Sequence, residues 1–442
     1  MVRLLIVLAA IAAVAASARA AGGAPACVTA SNRAYAYQHS KRPQAKKLAA
    51  LERAALACAN GHQRIGFWPQ GGILDHDLYL ANTVDLDDGS GLRDPWCGTR
   101  TYDGHTGEDV TIRSFREQRL GVPVFAALDG RVSQVQEGAK DTNYGTQTLP
   151  WDNHVQIDSG HDQMAIYGHL RRGSVRVKVG DWVVAGQQIG LTGSSGNSSW
   201  PHLHFTLIVD DKPTDLWSGP CNAASYWMSQ PAIRTDAYAR DFTLAAAPFT
   251  GHADLPWDEA RRTSTFALGT RDLWFRSMLL NAQGTRSQVV RIVRPDGSAA
   301  LTDTAAPAWQ AFRQTDAIWH ERPNLDVAGT WRIQVELDGT RVLDQPFTVG
   351  GTAVDHPPAA VEPHVSQTPD GVWVCQLDQD LLHSDPDYDV VSYRYVWRVR
   401  GAVVRSVSAG GLQDALPRTT QGTPVCTVTP SDGSMTGPTR AS

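Results

Sequence analysis

The sequence predicts a mainly β protein built from several domains. Glycine and proline are plentiful, at 39 and 25 of 442 residues, and they fall between short segments in which apolar and polar residues alternate. The clearest alternation lies at residues 201–207, 331–337 and 393–399, as in strands with one buried face. A chain of this length has room for about three domains.

Residues 1–20 predict a cleaved signal peptide. Arg3 gives a positive start, residues 4–16 are continuously apolar, and Ala18-Arg19-Ala20 has the small-x-small pattern of a cleavage site. The sequence therefore predicts a secreted protein, periplasmic or extracellular, with no transmembrane segment. The net charge of -5, without a basic stripe, argues against a nucleic-acid partner.

Six cysteines in an oxidising compartment form an even set, for which 15 pairings are possible. We favour pairing between near neighbours within each predicted domain. There is no CxxC pair, so a thiolate zinc site is not expected. The favoured bridges are Cys27–Cys58, Cys97–Cys221 and Cys375–Cys426.

Residues 21–65 are predicted to form a small helical N-terminal segment. Leu48, Leu51 and Leu56 recur near helical spacing, and Asn60-Gly61 ends the run. We interpret it as a cap held by the first bridge. The alternative is a helical pro-segment that shields a site.

Residues 66–235 read as strands separated by glycine turns. The stretch 122–135 predicts a hairpin, with Asp129-Gly130 as its turn. Further strands are expected at Val155–Ile157 and at Ile166–Leu170. The alternation of Val175, Val177 and Val179 with basic residues fits another strand.

Two β-sandwich domains are predicted at 240–350 and 364–435, joined by a linker at 350–363 that is rich in proline and glycine. In the first, the strand that ends at Leu337 runs into the hairpin signal Asp338-Gly339. In the second, Trp397 lies between Cys375 and Cys426, an arrangement similar to that of immunoglobulin-like domains.

The stretch Pro201-His-Leu-His-Phe-Thr-Leu207 concentrates chemistry on one strand. Side chains alternate between the two faces of a strand, so His202, His204 and Thr206 share one face and the apolar residues the other. Upstream, His105 and Asp109 are four residues apart and would share a face of a strand, since Gly104 and Gly107 disfavour a helix.

These groups suit zinc, which accepts imidazole nitrogen and carboxylate oxygen. Two histidines and one aspartate leave a coordination position for water, as in catalytic sites. His169, at the end of a predicted strand, and the remaining histidine of the His202/His204 pair could then move protons. The pattern alone does not tell which of that pair binds the metal, and each element alone is more often a surface hydrogen bond or a packed histidine.

Together, the elements resemble the lysostaphin-like, or β-lytic, zinc metallopeptidases, which hydrolyse peptide bonds in bacterial peptidoglycan. The resemblance covers residues 95–215, in order and with compatible spacing. The blocks that carry it are His105-Thr-Gly-Glu-Asp109, 121–130, 153–157, 167–170, 179–193 and Pro201-His-Leu-His-Phe205.

The resemblance implies an antiparallel β-sheet metallopeptidase domain over residues 66–235 with a zinc cofactor. By position it makes His105, Asp109 and His204 the zinc ligands and His169 and His202 the catalytic pair. The expected activity is exported, zinc-dependent endopeptidase cleavage of peptidoglycan cross-links or stem peptides through a zinc-activated water. Two departures lie next to the second block of ligands: Trp200 replaces a common glycine, and Thr206 replaces a common acidic residue.

Tyr102 is a further candidate to assist the site. The two C-terminal sandwiches are expected to bind the cell envelope or another protein. Two alternative functions stay open: a cell-envelope binding or scaffold protein that does not cut peptidoglycan, and a peptidase for glycine-rich secreted proteins.

Overall fold

The computed structural model of the chain describes residues 61–144, 151–249, 262–306 and 313–442. The predicted signal peptide, the predicted helical segment up to residue 60 and the Cys27–Cys58 bridge lie outside the described residues. None of the helices among the described residues is long and apolar enough to cross a bilayer.

The first part of the described chain forms a large antiparallel sheet, a short helix and a separate two-stranded sheet. Its elements are β1 (Tyr79–Asn82), β2 (Glu108–Thr111), α1 (Phe115–Leu120), β3 (Pro123–Phe125), β4 (Gly130–Gln136), β5 (His154–Gly160), β6 (Gln163–Gly168), β7 (Trp182–Val183), β8 (Gln188–Leu191), β9 (His202–Val209) and β10 (Lys212–Thr214). In the large sheet the strand order is β1-β2-β9-β6-β5-β4-β7, with β10 also paired to β9. This order places β2, β9 and β6 side by side.

The predicted hairpin at 122–135 is wrong. β3 pairs with β8 in a separate two-stranded sheet, whereas β4 joins the large sheet beside β5 and β7. β3 and β4 do not pair with each other, and the Oδ1 of Asp129 accepts a hydrogen bond from the distant N–H of Ala185, 2.8 Å away. Long-range partners therefore override the local turn signal.

The alternating stretch at 175–179 is not a strand either. Its main chain makes one bond to β8, from the N–H of Arg176 to the carbonyl of Ile189 at 2.9 Å. By contrast, the strands expected around Val155 and Ile166 are present as β5 and β6.

The middle of the chain forms a β-sandwich, here called the middle sandwich. Its strands are β11 (Tyr238–Ala245), β12 (Thr265–Phe266), β13 (Leu273–Leu280), β14 (Gln288–Val293), β15 (Ala299–Ala305), β16 (Gln314–Glu321), β17 (Gly329–Leu337) and β18 (Thr340–Val349). The sheet β11-β13-β16 packs on the sheet β12-β18-β17-β14-β15 around a core that includes Phe275, Trp319 and Trp331. The Asp338-Gly339 turn is confirmed: both residues have positive φ, 48° and 82°, as a two-residue type I′ hairpin requires.

The last part forms the C-terminal sandwich. Its elements are β19 (Glu362–Gln367), β20 (Trp373–Asp378), a 3₁₀ turn (Leu381–His383), β21 (Ser392–Val399), β22 (Ala402–Ala409), β23 (Gln413–Leu416), β24 (Pro424–Ser431) and β25 (Arg440–Ala441). The sheets β19-β20-β23 and β22-β21-β24-β25 enclose Trp397.

Two of the predicted disulfides are confirmed. Cys375 on β20 bonds to Cys426 on β24 and links the two sheets of the C-terminal sandwich, and Cys97 bonds to Cys221. The antiparallel β architecture is likewise confirmed. The immunoglobulin-like character of the sandwiches and the domain boundaries stay predictions.

Candidate metal centre and active site

β9 carries its side chains as the alternation predicts. Leu203, Phe205 and Leu207 are fully buried in the core of the large sheet. His204 and Thr206 contact each other on the opposite face, where the Thr206 Oγ1 lies 3.0 Å from the His204 Nε2. One strand therefore both builds the core and presents histidines.

Asp109 and His105 reach the same face by different routes. Asp109 lies on β2, directly opposite His204 in the strand pairing. The expectation that His105 shares this strand is wrong. His105 ends a turn before β2, closed by its N–H donating to the carbonyl of Tyr102 at 3.0 Å, because two glycines flank it.

The structure brings His105, Asp109 and His204 together. One ligand atom of each lies within 4.8 Å of the others, so the group could hold a metal ion. His204 Nδ1 is 2.8 Å from Asp109 Oδ1, and His105 Nε2 is 3.2 Å from Asp109 Oδ2. The two imidazole nitrogens are 3.3 Å apart.

Hydrogen bonds fix which nitrogen of each histidine faces the group. The Nδ1–H of His105 donates to the carbonyl of Thr83 at 2.7 Å, which leaves its Nε2 lone pair towards Asp109. The Nε2 of His204 is hydrogen-bonded to the hydroxyl of Thr206, so the Nδ1 of His204 faces Asp109. The amide of Asn82 donates to Asp109 Oδ2 at 2.9 Å. Such outer contacts orient metal ligands in proteins.

Gly107 is required by close approach. A Cβ there would lie 2.5 Å from the carbonyl oxygen of Phe205 and 2.9 Å from the Nε2 of His204. A side chain at this position would push β9 and its histidine away from β2. Gly107 is therefore required by its packing against β9 and the candidate ligand His204.

His169 and His202 lie next to this group. Their ring centroids are 4.5 Å apart, and His202 Nε2 is 3.3 Å from Asp109 Oδ1. Backbone carbonyls again fix the tautomers: the Nδ1–H of His169 donates to Ser195 and that of His202 to Trp200, both at 2.7 Å. In each ring Nε2 is left to face the site.

The charges of the site follow from these contacts. Burial raises the pKa of Asp109, but the neighbouring His105 and His202 outweigh it and hold the pKa well below its usual range. Burial lowers the pKa of His169 to about 4. Burial also acts to lower the pKa of His202, yet the Asp109 carboxylate outweighs it and raises that pKa.

The ring of Tyr102 packs against that of His105 at an angle of 34°, with ring centroids 4.3 Å apart, and stays half exposed. Four residues that support the site were not predicted from the sequence: Asn82, Thr83, Asp152 and Ser195. Asn82 and Thr83 carry no motif at all. Asp152 could have been noticed only because it directly precedes the block that starts at residue 153.

The sheet and its His–Asp–His group define a domain of the metallopeptidase class. Residues 104–216 match the model of Peptidase family M23. The chain thus contains an M23 peptidase domain, and the resemblance to the lysostaphin-like peptidases is confirmed.

Two named peptidases are similar to part of the chain. The chain is 33% identical over 128 residues to the peptidoglycan DD-endopeptidase ShyA of Vibrio cholerae. This match covers 29% of this chain and 25% of ShyA. It is 32% identical over 145 residues to the glycyl-glycine endopeptidase ALE-1 of Staphylococcus capitis, covering 31% and 37% of the two chains. The chain therefore spans only about a quarter to a third of the relatives it matches.

Among solved structures, the catalytic domain of the M23 protein EnpA of Enterococcus faecalis, in a mutant form, is 30% identical. The match covers 30% of this chain and 87% of that domain, with a TM-score of 0.21.

Proposed function

We propose that the protein is an exported zinc-dependent endopeptidase that hydrolyses peptide bonds in the cross-links or stem peptides of peptidoglycan. The observation that carries the proposal is the convergence of His105, Asp109 and His204 within 4.8 Å. The similarity to ShyA, a peptidoglycan DD-endopeptidase, supports peptidoglycan as the substrate. The signal-peptide pattern at residues 1–20 and the two disulfides support export.

The three residues fit zinc by their chemistry. They offer two imidazole lone pairs and one carboxylate, a set typical of catalytic zinc, and their outer contacts hold them in place. When bound, zinc would lower the pKa of a coordinated water to about 7 and polarise the scissile carbonyl.

His169 and His202 would handle protons beside the metal. Because the Nδ1–H of His169 is held by Ser195, its Nε2 is free to take a proton from the attacking water. His202, oriented by Trp200, presents its Nε2 from the neighbouring side. An N–H there would stabilise the developing oxyanion and protonate the leaving amine.

The test is a zinc determination combined with mass spectrometry of digested peptidoglycan. The wild-type protein should hold one zinc ion and release muropeptides, and a chelator should stop the release. His204→Ala should lose both zinc and hydrolysis, whereas His169→Ala should keep zinc and lose turnover.

Two results would contradict the proposal. If His169→Ala cleaved like wild type, the catalytic roles would be wrong. If the zinc-loaded wild type bound peptidoglycan without releasing muropeptides, the envelope-binding alternative would replace hydrolysis. Pentaglycine is tested in parallel because of the likeness to ALE-1, and cleavage of that peptide alone would favour the peptidase for glycine-rich proteins.

A further inference from the structure

The middle sandwich is anchored to the strand that carries Asp109. Arg240, on β11, is almost completely buried, at 2% exposure. Its guanidinium donates to the carbonyls of Thr111 at 3.0 Å and Ile112 at 3.2 Å, and to that of Asp77 at 3.1 Å. These bonds satisfy main-chain carbonyls at the end of β2. They hold the middle sandwich against this end of the strand, beside His105, Asp109 and His204.

The side chain of Thr111, at the end of β2, lies on the same face of the large sheet as His202 and His204. Thr111 pairs directly with His202 across β2 and β9, as Asp109 pairs with His204. Residues opposite each other in an antiparallel pair point to the same face, with Cβ atoms about 4.5–5.5 Å apart. The side chains of Thr111 and His202 are therefore neighbours in one row across β2 and β9.

Gln314 of the middle sandwich meets that row. It is the first residue of β16, and its Oε1 accepts a hydrogen bond from the Thr111 hydroxyl at 2.6 Å. The residue is only partly buried, and among the described residues no acceptor is bonded to its Nε2. The amide thus offers N–H donors at the edge of the site, on the side of His202.

We propose that the middle sandwich forms one wall of the substrate groove and that Gln314 is a specificity-determining residue for the bound peptide. Its carboxamide N–H donates to a main-chain carbonyl oxygen of the substrate on the His202 side of the scissile bond. This inference rests on the proposed endopeptidase function.

The strand pairing supports that assignment. The amide of Gln314 is bonded to Thr111, and Thr111 is the residue of β2 that lies directly opposite His202. A peptide carbonyl bound against this edge of the site would lose its water and would need a donor. Gln314 supplies one without carrying charge.

Two substitutions separate substrate contact from a structural role. Gln314→Glu keeps an oxygen acceptor for the Thr111 hydroxyl but removes the N–H donors. Gln314→Met has similar length and removes both. If Gln314 binds substrate, both variants should raise KM for a purified cross-linked muropeptide by roughly 3–10-fold, with kcat within about twofold and zinc content unchanged. If Gln314 only supports Thr111, Gln314→Glu should keep the wild-type KM, and the inference is overturned.

A control and a binding measurement complete the experiment. Arg294→Ala removes a partly buried side chain paired with Asp326 in the same sandwich and should leave KM unchanged. Binding of the same muropeptide to the zinc-free wild type and to Gln314→Glu is measured by calorimetry. Weaker binding to the variant supports the inference even if the wild type cleaves nothing, which would refute only the proposed function. Equal binding overturns the inference.

Discussion

Asp152 holds the main chain of His169: its Oδ2 accepts the N–H of His169 at 2.8 Å. His169 has a backbone φ of 58°, in the left-handed region that residues other than glycine rarely adopt. Two glycines make room for the carboxylate. A Cβ at Gly168 would lie 2.9 Å from the Oδ2, and one at Gly196 would lie 2.5 Å from the Cβ of Asp152. The carboxylate thus stabilises an unusual conformation at one of the two residues proposed for catalysis.

Asp152→Ala should slow turnover without removing the metal. Losing the acceptor would let residue 169 leave its strained conformation, and a displacement of about 1 Å costs roughly 10–100-fold in kcat. Zinc content should stay at the wild-type level, because Asp152 touches none of the three proposed ligands in the described contacts. Parallel assays of kcat and bound zinc check this.

Asp152→Asn is the matched control. Its amide oxygen can still accept the N–H of His169, so kcat should recover most of the loss. If the Asn and Ala variants were equally slow, the charge of Asp152 rather than its position would matter. The positioning role would then be wrong.

Thr206→Val should weaken metal binding. Valine has nearly the same shape as threonine but cannot bond to the Nε2 of His204, so the ring of the ligand loses its outer contact. Losing such a contact typically costs about 10–100-fold in metal affinity. Thr206→Ser keeps the hydroxyl and should bind zinc like wild type. Competition with a chromogenic chelator measures both, and equal affinities for the two variants would contradict the role.

Where local periodicity and burial agree, the sequence predicts the site well. The alternation around His202 and His204 places them on one face because Leu203 and Phe205 occupy the other. His169 follows β6, as the pattern indicates. The assignment of His204 rather than His202 to the metal group needed the family resemblance, since both point to the same face.

Long-range contacts account for what the sequence did not predict. β3 pairs with β8, more than 60 residues away in sequence, and this pairing overrides the Asp129-Gly130 turn signal. Arg240 carries a charge that is usually solvated, yet it bonds to the main-chain carbonyls of Thr111 and Ile112, more than a hundred residues earlier. No local pattern encodes such contacts, so the docking of the middle sandwich is visible only in the fold.

Arg418→Met should destabilise the packing of the C-terminal sandwich on the large sheet. Arg418 pairs with Asp129, whose side chain is fully buried, and burial raises the pKa of Asp129 against the opposing charge of Arg418. Removing the arginine leaves a buried carboxylate without its opposite charge, which typically lowers the free energy of unfolding by about 3–5 kcal/mol. Urea unfolding of the full chain measures the loss.

The double variant Asp129→Asn/Arg418→Met provides the control for this pair. It removes the stranded charge, and Asn can still accept the N–H of Ala185, so much of the stability should return. If the double variant were as unstable as Arg418→Met, the loss would come from the packing of the arginine chain. The ion-pair explanation would then be rejected.

Asp385 should make the stability of the C-terminal sandwich depend on pH. Burial, together with the charges of Asp389 and Asp387, raises the pKa of Asp385 to about 6. In the unfolded chain an aspartate titrates near 3.9, so between about pH 4 and 6 the folded state keeps a proton that the unfolded state has lost. Stability contributed by this group is therefore present below pH 4 and is lost as the pH rises towards 6 and beyond.

Asp385→Asn removes that titration and can still accept the N–H groups of Asp387 and Asp389 through its amide oxygen. The stability of the variant relative to wild type should therefore rise from pH 4 to pH 7, as measured by urea midpoints at each pH. Asp378→Asn, at an exposed position of β20, changes the same charge and should follow wild type throughout. A constant difference between Asp385→Asn and wild type across this range would show that Asp385 does not titrate there.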